Sequence, residues 1–275
     1  MLELTSCDNP RLRLARALMR GRERKKKGCY RLEGFKLVAT ALDAGTHPEY
    51  VLFSPRAAAK EEGRQLLARL EAGGIPCYRV AERLWPGLSS TPAPQGVLAV
   101  VRCREPELEE FFRPPGLFLV LDGVQDPGNA GTLVRTAAAA GCSGVVALVG
   151  TTDLYADKAL RAAAGAQFYL PLATGVAAGE LLALAARRGV EPVLAVPEGG
   201  IPYFRFPWEG SLALVVGNEG RGPRPQLAEG PAQRVTVPMR AGESLNVAAA
   251  AAVLLYEAAR QRSEAETLYG NPPTR

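Results

Sequence analysis

Histidine is almost absent from this sequence, and its scarcity limits the chemistry that the chain can perform. The single histidine among 275 residues, His47, lies in the loop-like segment AGTHPEY before a proline, and we interpret it as inert. Without it, no Ser-His-Asp triad, HExxH zinc helix or multi-histidine metal cage can be assembled. Any chemistry therefore has to use Arg, Glu, Asp, Ser, Asn or a bound cofactor.

Cysteines and long apolar runs are also scarce. The five cysteines are scattered, odd in number and never spaced as CxxC, which indicates neither a disulfide framework nor a metal site. The longest strongly apolar stretch, Val247 to Tyr256, is about half of the ~20 residues that cross a bilayer. The N-terminus MLELTSCDNPRLR lacks the charged-then-apolar order of a secretory signal. We expect no membrane association and a cytoplasmic location.

Positive charge is concentrated at the N-terminal end. The chain carries +5 overall, but residues 1–36 alone carry +7 and the remainder carries −2. Such asymmetry favours contact with a polyanion, although a short basic run can also be a solvated helix end and loop. The candidate nucleic-acid contacts are Arg20, Arg22, Arg24, Lys25, Lys26, Lys27 and Lys36.

The chain length favours two domains. Residues 1–102 alternate between helix and strand, with a helix over Pro10–Met19 capped by Asn9, a basic loop, and a strand over Cys29–Leu32. Residues 103–115 are charged and proline-bearing, and we interpret them as a linker. A second α/β domain over 116–265 and a C-terminal tail over 266–275 follow.

Apolar runs alternate with alanine-rich helical stretches throughout the second domain. This pattern predicts a parallel sheet that is covered on both faces and binds its ligand at the carboxyl ends of the strands. The predicted strands are Leu117–Leu121, Val145–Val149, Phe168–Leu172, Pro192–Val196, Leu212–Val216 and Arg234–Val237.

Three segments of this domain pass from a strand into a glycine-containing turn. In Leu119–Gly141 the turn contains Asn129, and Arg135 is either close to the turn or a surface residue. In Leu212–Pro223 the turn surrounds Glu219 with glycines, including Gly217. In Val235–Glu257 we expect Ser244 to cap the following helix. Asn246, in the first turn of that helix, can offer its amide to a ligand or satisfy a buried neighbour. These three loops could converge on one pocket.

The segments DPGNAGTLVRTAAAAG, VVGNEGRGP and VPMRAGESLNVAAAAA resemble, in order and character, the three motifs of the SpoU (TrmH) family of RNA ribose methyltransferases in the SPOUT class. The resemblance covers about residues 116 to 262 and includes DKALRAAAGAQFYLPL. The N-terminal stretch is similar to the L30e-like RNA-binding domain of many members. The implied fold is a SPOUT-type α/β domain with a C-terminal trefoil knot, preceded by a smaller L30e-like α/β/α domain.

The resemblance also implies a homodimer that methylates a ribose 2′-hydroxyl with S-adenosylmethionine. The implied cofactor contacts are Leu194, Ala195, Val196, Gly217, Val237, Met239, Leu245 and Asn246. The implied catalytic or substrate-ordering residues are Asn129, Arg135, Glu219 and Ser244, and Arg161 is an implied RNA contact. Where many relatives have a serine, this chain has Ala163, which puts a hydrogen bond near Arg161 in doubt.

The role of Arg135 stays open at this point. A guanidinium keeps its proton throughout the ordinary pH range and is therefore a poor base. Arg135 could take part in deprotonation beside a phosphate, or it could stabilise the phosphate and the emerging alkoxide while water takes the proton, and we favour the latter. Glu219 could orient the arginine or the nucleotide, or could act as the base.

The favoured function is methylation of rRNA, specifically 23S rRNA, with tRNA as the alternative substrate. A non-catalytic RNA-binding protein of ribosomal-protein type is a second alternative, against which the presence of Arg135, Glu219, Ser244 and Asn246 argues. A nicotinamide-dependent dehydrogenase would fit the α/β pattern, but the glycine fingerprint and its acidic partner are missing from the sequence.

Overall fold

The computed structural model describes residues 1–104, 106–230, 232–242 and 244–269. The strands are β1 (Leu2–Leu4), β2 (Cys29–Glu33), β3 (Tyr50–Phe53), β4 (Cys77–Val80), β5 (Val97–Arg102), β6 (Leu117–Leu121), β7 (Gly144–Leu148), β8 (Leu172–Val176), β9 (Glu191–Ala195), β10 (Ile201–Pro202), β11 (Leu212–Val216) and β12 (Gln233–Thr236). The helices are α1 (Pro10–Ala17), α2 (Gly21–Lys27), α3 (Phe35–Asp43), α4 (Pro55–Ala59), α5 (Glu61–Ala72), α6 (Leu108–Phe111), α7 (Pro127–Ala139), α8 (Asp157–Ala163), α9 (Ala178–Arg188), α10 (Pro225–Ala228) and α11 (Val247–Tyr269).

The described chain forms two compact units. The first consists of Met1–Arg104 together with Tyr155–Phe168, and the second holds the rest of the described chain. The sequence had suggested that Tyr155–Phe168 belongs with the second domain. In the structure this segment is fixed within the first unit by the fully buried Arg31, whose Nη2 lies 2.6 Å from Asp157 Oδ2.

The first unit has a mixed sheet in the order β1-β4-β3-β5-β2. Alternate residues of its strands face opposite layers: Val51 and Phe53 of β3 pack on one side, while Tyr50 and Leu52 pack on the other. This alternation is the period-two pattern of a strand that is covered on both faces. The unit is therefore an α/β/α sandwich, as predicted.

The basic segment after α1 forms helix α2, although a loop was expected. Arginine and lysine are good helix formers, and Gly28, with φ +59°, ends the helix in the left-handed region. Arg24 is buried, and its Nη1 donates hydrogen bonds to the carbonyls of Leu18 (2.8 Å) and Met19 (3.0 Å). Arg24 thus satisfies carbonyls at the end of α1.

The second unit is built on a sheet in the order β10-β12-β9-β11-β6-β7-β8, with every described pairing parallel. The predicted strands Leu117–Leu121 and Leu212–Val216 are confirmed at both ends, and both are buried throughout. The expected strand Phe168–Leu172 is wrong, because Ala166–Phe168 forms a 3-10 turn and β8 begins only after Pro171.

The segment expected to be a linker contains α6. Phe111 and Phe112 are buried, and their rings pack against Phe118 of β6 with centroids 5.8 and 4.7 Å away. This segment therefore contributes to the core of the second unit. At the other end, α11 runs through the start of the expected C-terminal tail, and residues 270–275 of that tail lie outside the described residues.

The parallel sheet brings several loops to one edge. Strands β6, β9, β11 and β12 all end there, and the segments that follow them contain the glycine-bearing motifs. Helix α11, which follows the third motif, packs against α7, which carries the first. Within the described residues, no helix is both long and apolar enough to span a bilayer.

Candidate active site

A cavity of about 780 Å³ lies at the carboxyl edge of the second unit's sheet. Its walls come from the segments after β9, β11 and β12 and from the start of α11. The lining includes most of the expected cofactor contacts, namely Ala195, Val196, Gly217, Val237, Met239, Leu245 and Asn246. Leu194 is fully buried within β9 and does not line the cavity.

The second motif forms a closed turn against this cavity. Asn218 and Gly222 exchange backbone hydrogen bonds of 3.1 and 2.9 Å, and Asn218 Oδ1 accepts the backbone N–H groups of Gly220 and Arg221. A Cβ at Gly217 would lie 2.3 Å from the backbone of Gly222 and Pro223. Only glycine fits at Gly217, because the two ends of the turn approach so closely there.

The three motifs meet in a chain of hydrogen bonds. Asn246 Nδ2 donates to Asn129 Oδ1 at 3.1 Å, and Asn129 Nδ2 donates to Glu219 Oε1 at 3.1 Å. Each of these side chains comes from a different motif. The sequence-based expectation that the loops could converge thus has a direct counterpart in the structure.

Glu219 accepts further hydrogen bonds from the first motif. The backbone N–H groups of Gln125 and Asp126 lie 3.1 and 3.3 Å from its carboxylate oxygens. Partial burial raises the pKa of Glu219, but the hydrogen bonds from Asn129 and from the backbone of Gln125 and Asp126 outweigh it and hold the pKa below its usual range. Glu219 is therefore ionised near neutral pH and is engaged in orienting the first motif.

Asn246, and not Ser244, caps helix α11. Asn246 Oδ1 accepts hydrogen bonds from the backbone N–H groups of Ala248 (2.9 Å) and Ala249 (3.3 Å). The backbone carbonyl of Asn246 accepts the backbone N–H of Ala250. These are the bonds of an N-cap residue. Ser244 instead lines the cavity and is exposed, so its hydroxyl is accessible to a ligand.

Arg135 is exposed on α7 and is not among the residues that line the cavity. It lies six residues after Asn129, which corresponds to about 9 Å along a helix axis. Within the described residues its guanidinium has no hydrogen-bond or ion-pair partner. Its charge is therefore not committed to the protein's own structure.

A buried ion pair that the sequence-based reasoning missed holds the far end of the Gly217–Pro223 turn. Asp122 follows β6 and is 2% exposed, and its carboxylate lies 2.5 Å from Arg224 Nε and 2.7 Å from Arg224 N. Arg224 Nη2 also donates to the carbonyl of Val149, after β7. The only signal in the sequence is an arginine that closely follows a glycine-rich turn.

The expected RNA contacts all lie in the first unit. The side chains of Arg20, Arg22, Lys25, Lys26 and Lys27 are exposed on or beside α2, and Lys36 and Arg161 are exposed elsewhere in the unit. Arg24 is the exception, because it is buried against α1.

Comparison with protein families finds two matches on this chain. The model of the SpoU rRNA Methylase family matches residues 116–256, and the model of the MRM3-like substrate binding domain matches residues 9–99. These two matches fall on the segments with the three motifs and with the basic helix α2.

Individual relatives are similar over nearly the whole chain. The 23S rRNA (guanosine(2553)-2′-O)-methyltransferase RlmP of Bacillus subtilis is 36% identical over 93% of this chain and 98% of its own length. An AdoMet-bound rRNA methyltransferase from Sinorhizobium meliloti superposes with a TM-score of 0.82 at 30% identity, covering 94% of this chain and 97% of its own. The SpoU methyltransferase AviRb from Streptomyces viridochromogenes, in complex with AdoMet, superposes with a TM-score of 0.81 at 27% identity. The match covers 92% of this chain and 99% of AviRb.

Proposed function

Because this chain belongs to the SpoU rRNA methylase family, we propose that it transfers a methyl group from S-adenosylmethionine to a ribose 2′-hydroxyl of ribosomal RNA, 23S rRNA in particular. The observation that carries this proposal is the hydrogen-bond chain Asn246–Asn129–Glu219, which joins all three motifs beside the cavity. RlmP and the Sinorhizobium meliloti protein match nearly the whole chain and are named as rRNA methyltransferases, which favours rRNA over tRNA as the substrate.

The cavity suits S-adenosylmethionine in size and lining. Its volume of about 780 Å³ falls within the ~300–1,000 Å³ of small-molecule sites. Met239 and Leu245 present apolar side chains that are 39% and 38% exposed, which an adenine ring could cover. The cofactor supplies an electrophilic methyl group on a sulfonium. Val237 and the backbone around Ala195, Val196 and Gly217 would complete its binding site.

We assign Arg135 the electrostatic role. A 2′-hydroxyl becomes more nucleophilic as its proton leaves, and a guanidinium can stabilise the emerging alkoxide and the adjacent phosphate. Glu219 is a weak base because its pKa is lowered and its oxygens are hydrogen-bonded, so we assign the proton to water. Ser244 would order the substrate at the cavity, and Asn129 would contribute by holding Asn246 and Glu219 in position.

The first unit would bind the RNA. The exposed residues on and beside α2 form a cationic surface, and contacts with phosphates provide affinity without reading sequence. Arg24 is left out of this set because its guanidinium is buried and hydrogen-bonded to α1. The proposed division of labour places RNA binding in the first unit, which includes Tyr155–Phe168, and methyl transfer in the second unit.

Methyl transfer by the purified chain tests this function. Radiolabelled S-adenosylmethionine is incubated with rRNA from cells that lack the gene, and separately with tRNA from the same cells. The proposal expects label in the rRNA at ribose 2′-oxygens. Label in tRNA alone would support the alternative substrate, and cofactor binding without transfer to either RNA would contradict the proposal. The homodimer, the trefoil knot and the cytoplasmic location stay predictions.

A further inference from the structure

We propose that a second cavity, within the first unit, binds one unstacked nucleotide of the RNA substrate. The cavity has a volume of about 620 Å³ and lies among the end of β2, the start of α3, the loop before β5, and α8. All of its lining residues belong to the first unit. The inference rests on the proposed function in one respect, namely that RNA is the substrate.

Two cations line this cavity and are available to a ligand. Lys36 and Arg161 are both exposed, and within the described residues neither forms an ion pair. Arg161 Nη1 donates to Ser90 Oγ at 2.9 Å, which orients the guanidinium and leaves its other N–H groups available. Lysine and arginine in such a setting are suited to an RNA phosphate.

The acidic residue in the lining of this cavity, Glu33, forms no ion pair with Lys36 or Arg161 within the described residues. The Glu33 side chain is only 7% exposed. Its oxygens accept hydrogen bonds from Ser90 N (3.0 Å) and Ser90 Oγ (2.9 Å), and also from Ser89 Oγ. Glu33 therefore shapes the loop before β5, while the exposed charge of the cavity is positive.

The rest of the lining suits a nucleobase. Gln95 Oε1 accepts the backbone N–H of Phe35 at 2.9 Å, which fixes the amide, and Gln95 Nε2 has no partner within the described residues. Leu37, Pro92 and Ala93 provide apolar surface beside it. An amide donor next to apolar walls can bind the polar edge and the face of one base, as proteins commonly do with unpaired RNA.

The volume distinguishes a nucleotide from a lone anion. About 620 Å³ is roughly twenty times the ~30 Å³ that one water occupies, and it lies within the ~300–1,000 Å³ of small-molecule sites. Removing a nucleotide from its stack costs free energy, and the cost is least where the nucleotide is already unpaired. The cavity would therefore favour RNA that presents an unpaired nucleotide, whereas α2 would bind any phosphate backbone.

Binding of two RNA probes to matched variants tests this inference. The probes are a single-stranded oligoribonucleotide of mixed sequence and a blunt duplex that contains the same strand, and affinity is measured by fluorescence anisotropy. The double variant Lys36→Gln/Arg161→Gln should lose about tenfold or more in affinity for the single strand and less than about twofold for the duplex. If the two side chains neutralise two phosphates, the salt slope for the single strand should also fall by roughly 1.4.

Two control comparisons distinguish a specific role of the cavity from a general loss of positive charge and from added bulk. Arg79→Gln removes an exposed charge on β4, outside the cavity, and should leave the preference for single strands unchanged. Ala93→Glu adds a carboxylate to the cavity wall and should weaken single-strand binding more than Ala93→Gln, which adds the same bulk without charge. Unchanged melting temperatures confirm that each variant is folded.

The inference is overturned if the double variant binds both probes with wild-type affinity, or if its affinity falls by the same factor for the single strand and for the duplex. A further arm uses free guanosine monophosphate, followed by NMR. If this nucleotide binds the cavity while the variants bind RNA normally, the cavity serves a free nucleotide and the inference is also overturned. Failure of the proposed function is a separate result, because it appears as absent methyl transfer to RNA by the wild-type chain.

Discussion

At the scale of single residues, some side chains of the site are hydrogen-bonded within the protein, and others are available to a ligand. Glu219, Asn129 and Asn246 are hydrogen-bonded to one another, whereas Arg135 has no partner within the described residues. The sequence indicated these four residues through the family resemblance. It could not indicate the bonds between them, because amides from distant motifs meet only in the fold. For the same reason it placed the cap of α11 at Ser244 instead of Asn246.

Replacement of Arg135 by alanine should reduce methyl transfer by about a hundredfold or more. The expected cause is the loss of electrostatic stabilisation of the emerging alkoxide and of the phosphate. Arg135 does not line the cavity, so the affinity for S-adenosylmethionine, measured by calorimetry, should stay within about twofold of the wild type. Arg187→Ala, which removes an exposed arginine of the same unit, serves as the control. Normal turnover of the Arg135 variant would exclude the proposed role.

Because of Glu219, the free energy of unfolding should depend on pH in the acidic range. Its folded-state pKa is lowered, so its hydrogen bonds contribute stability that is fully present above the ordinary glutamate pKa of about 4.3 and is lost as the pH falls through the lowered value. Melting temperatures recorded from neutral to acidic pH should therefore decline less steeply in Glu219→Gln than in the wild type. Identical pH profiles would show that the carboxylate is not stabilised as described.

At the scale of elements, buried strands could be predicted well and charged segments could not. Leu117–Leu121 and Leu212–Val216 are continuous apolar runs between polar turns, which leaves one interpretation of their bounds. Helices α2 and α6 carry charges without visible periodicity, so the apolar pattern does not indicate them. In the structure Arg24 bonds to the end of α1 and Phe111 packs against Phe118. The glycine-rich turn was predicted, but the ion pair that holds it, Asp122–Arg224, was not.

Substitution of Asp122 by asparagine should loosen the Gly217–Pro223 turn. Breaking a fully buried pair costs about 3–5 kcal/mol, but the Arg224 side chain is 30% exposed, so we expect about 1–2 kcal/mol. The dissociation constant of S-adenosylmethionine should rise roughly tenfold and the melting temperature should fall. Glu109→Gln, which removes exposed ion pairs with Arg187 and Arg188, should change both values little. Unchanged cofactor affinity in Asp122→Asn would show that the pair does not position the turn.

Removal of charge from α2 should weaken RNA binding and its dependence on salt. The variant replaces Arg22, Lys25, Lys26 and Lys27 by glutamine and keeps Arg24, whose loss would disturb α1. Each phosphate contact that is lost lowers the magnitude of the salt slope by about 0.9 on a duplex. Titrations of duplex RNA at several salt concentrations measure this slope, and Arg79→Gln is the single-charge control. An unchanged slope would show that α2 does not contact phosphates.

At the scale of the whole molecule, the uneven charge of the sequence matches its division into two units. The exposed basic residues of the first 36 positions lie in the first unit, while the three motifs and the cavity proposed to bind the cofactor lie in the second. The length and the alternation of apolar runs were enough to predict two α/β parts. The grouping of Tyr155–Phe168 with the first unit was not predictable, because it depends on the contact between Arg31 and Asp157, which lie far apart in sequence.

The most direct test of the central claim is a map of ribose 2′-O-methylation in total RNA. The comparison is between cells that have the gene, cells that lack it, and cells complemented with Arg135→Ala. We expect one 23S rRNA position that is methylated in cells with the gene, unmethylated in cells without it, and not restored by the Arg135→Ala variant. Identical maps in the presence and absence of the gene, or full restoration by the Arg135 variant, would contradict the central claim.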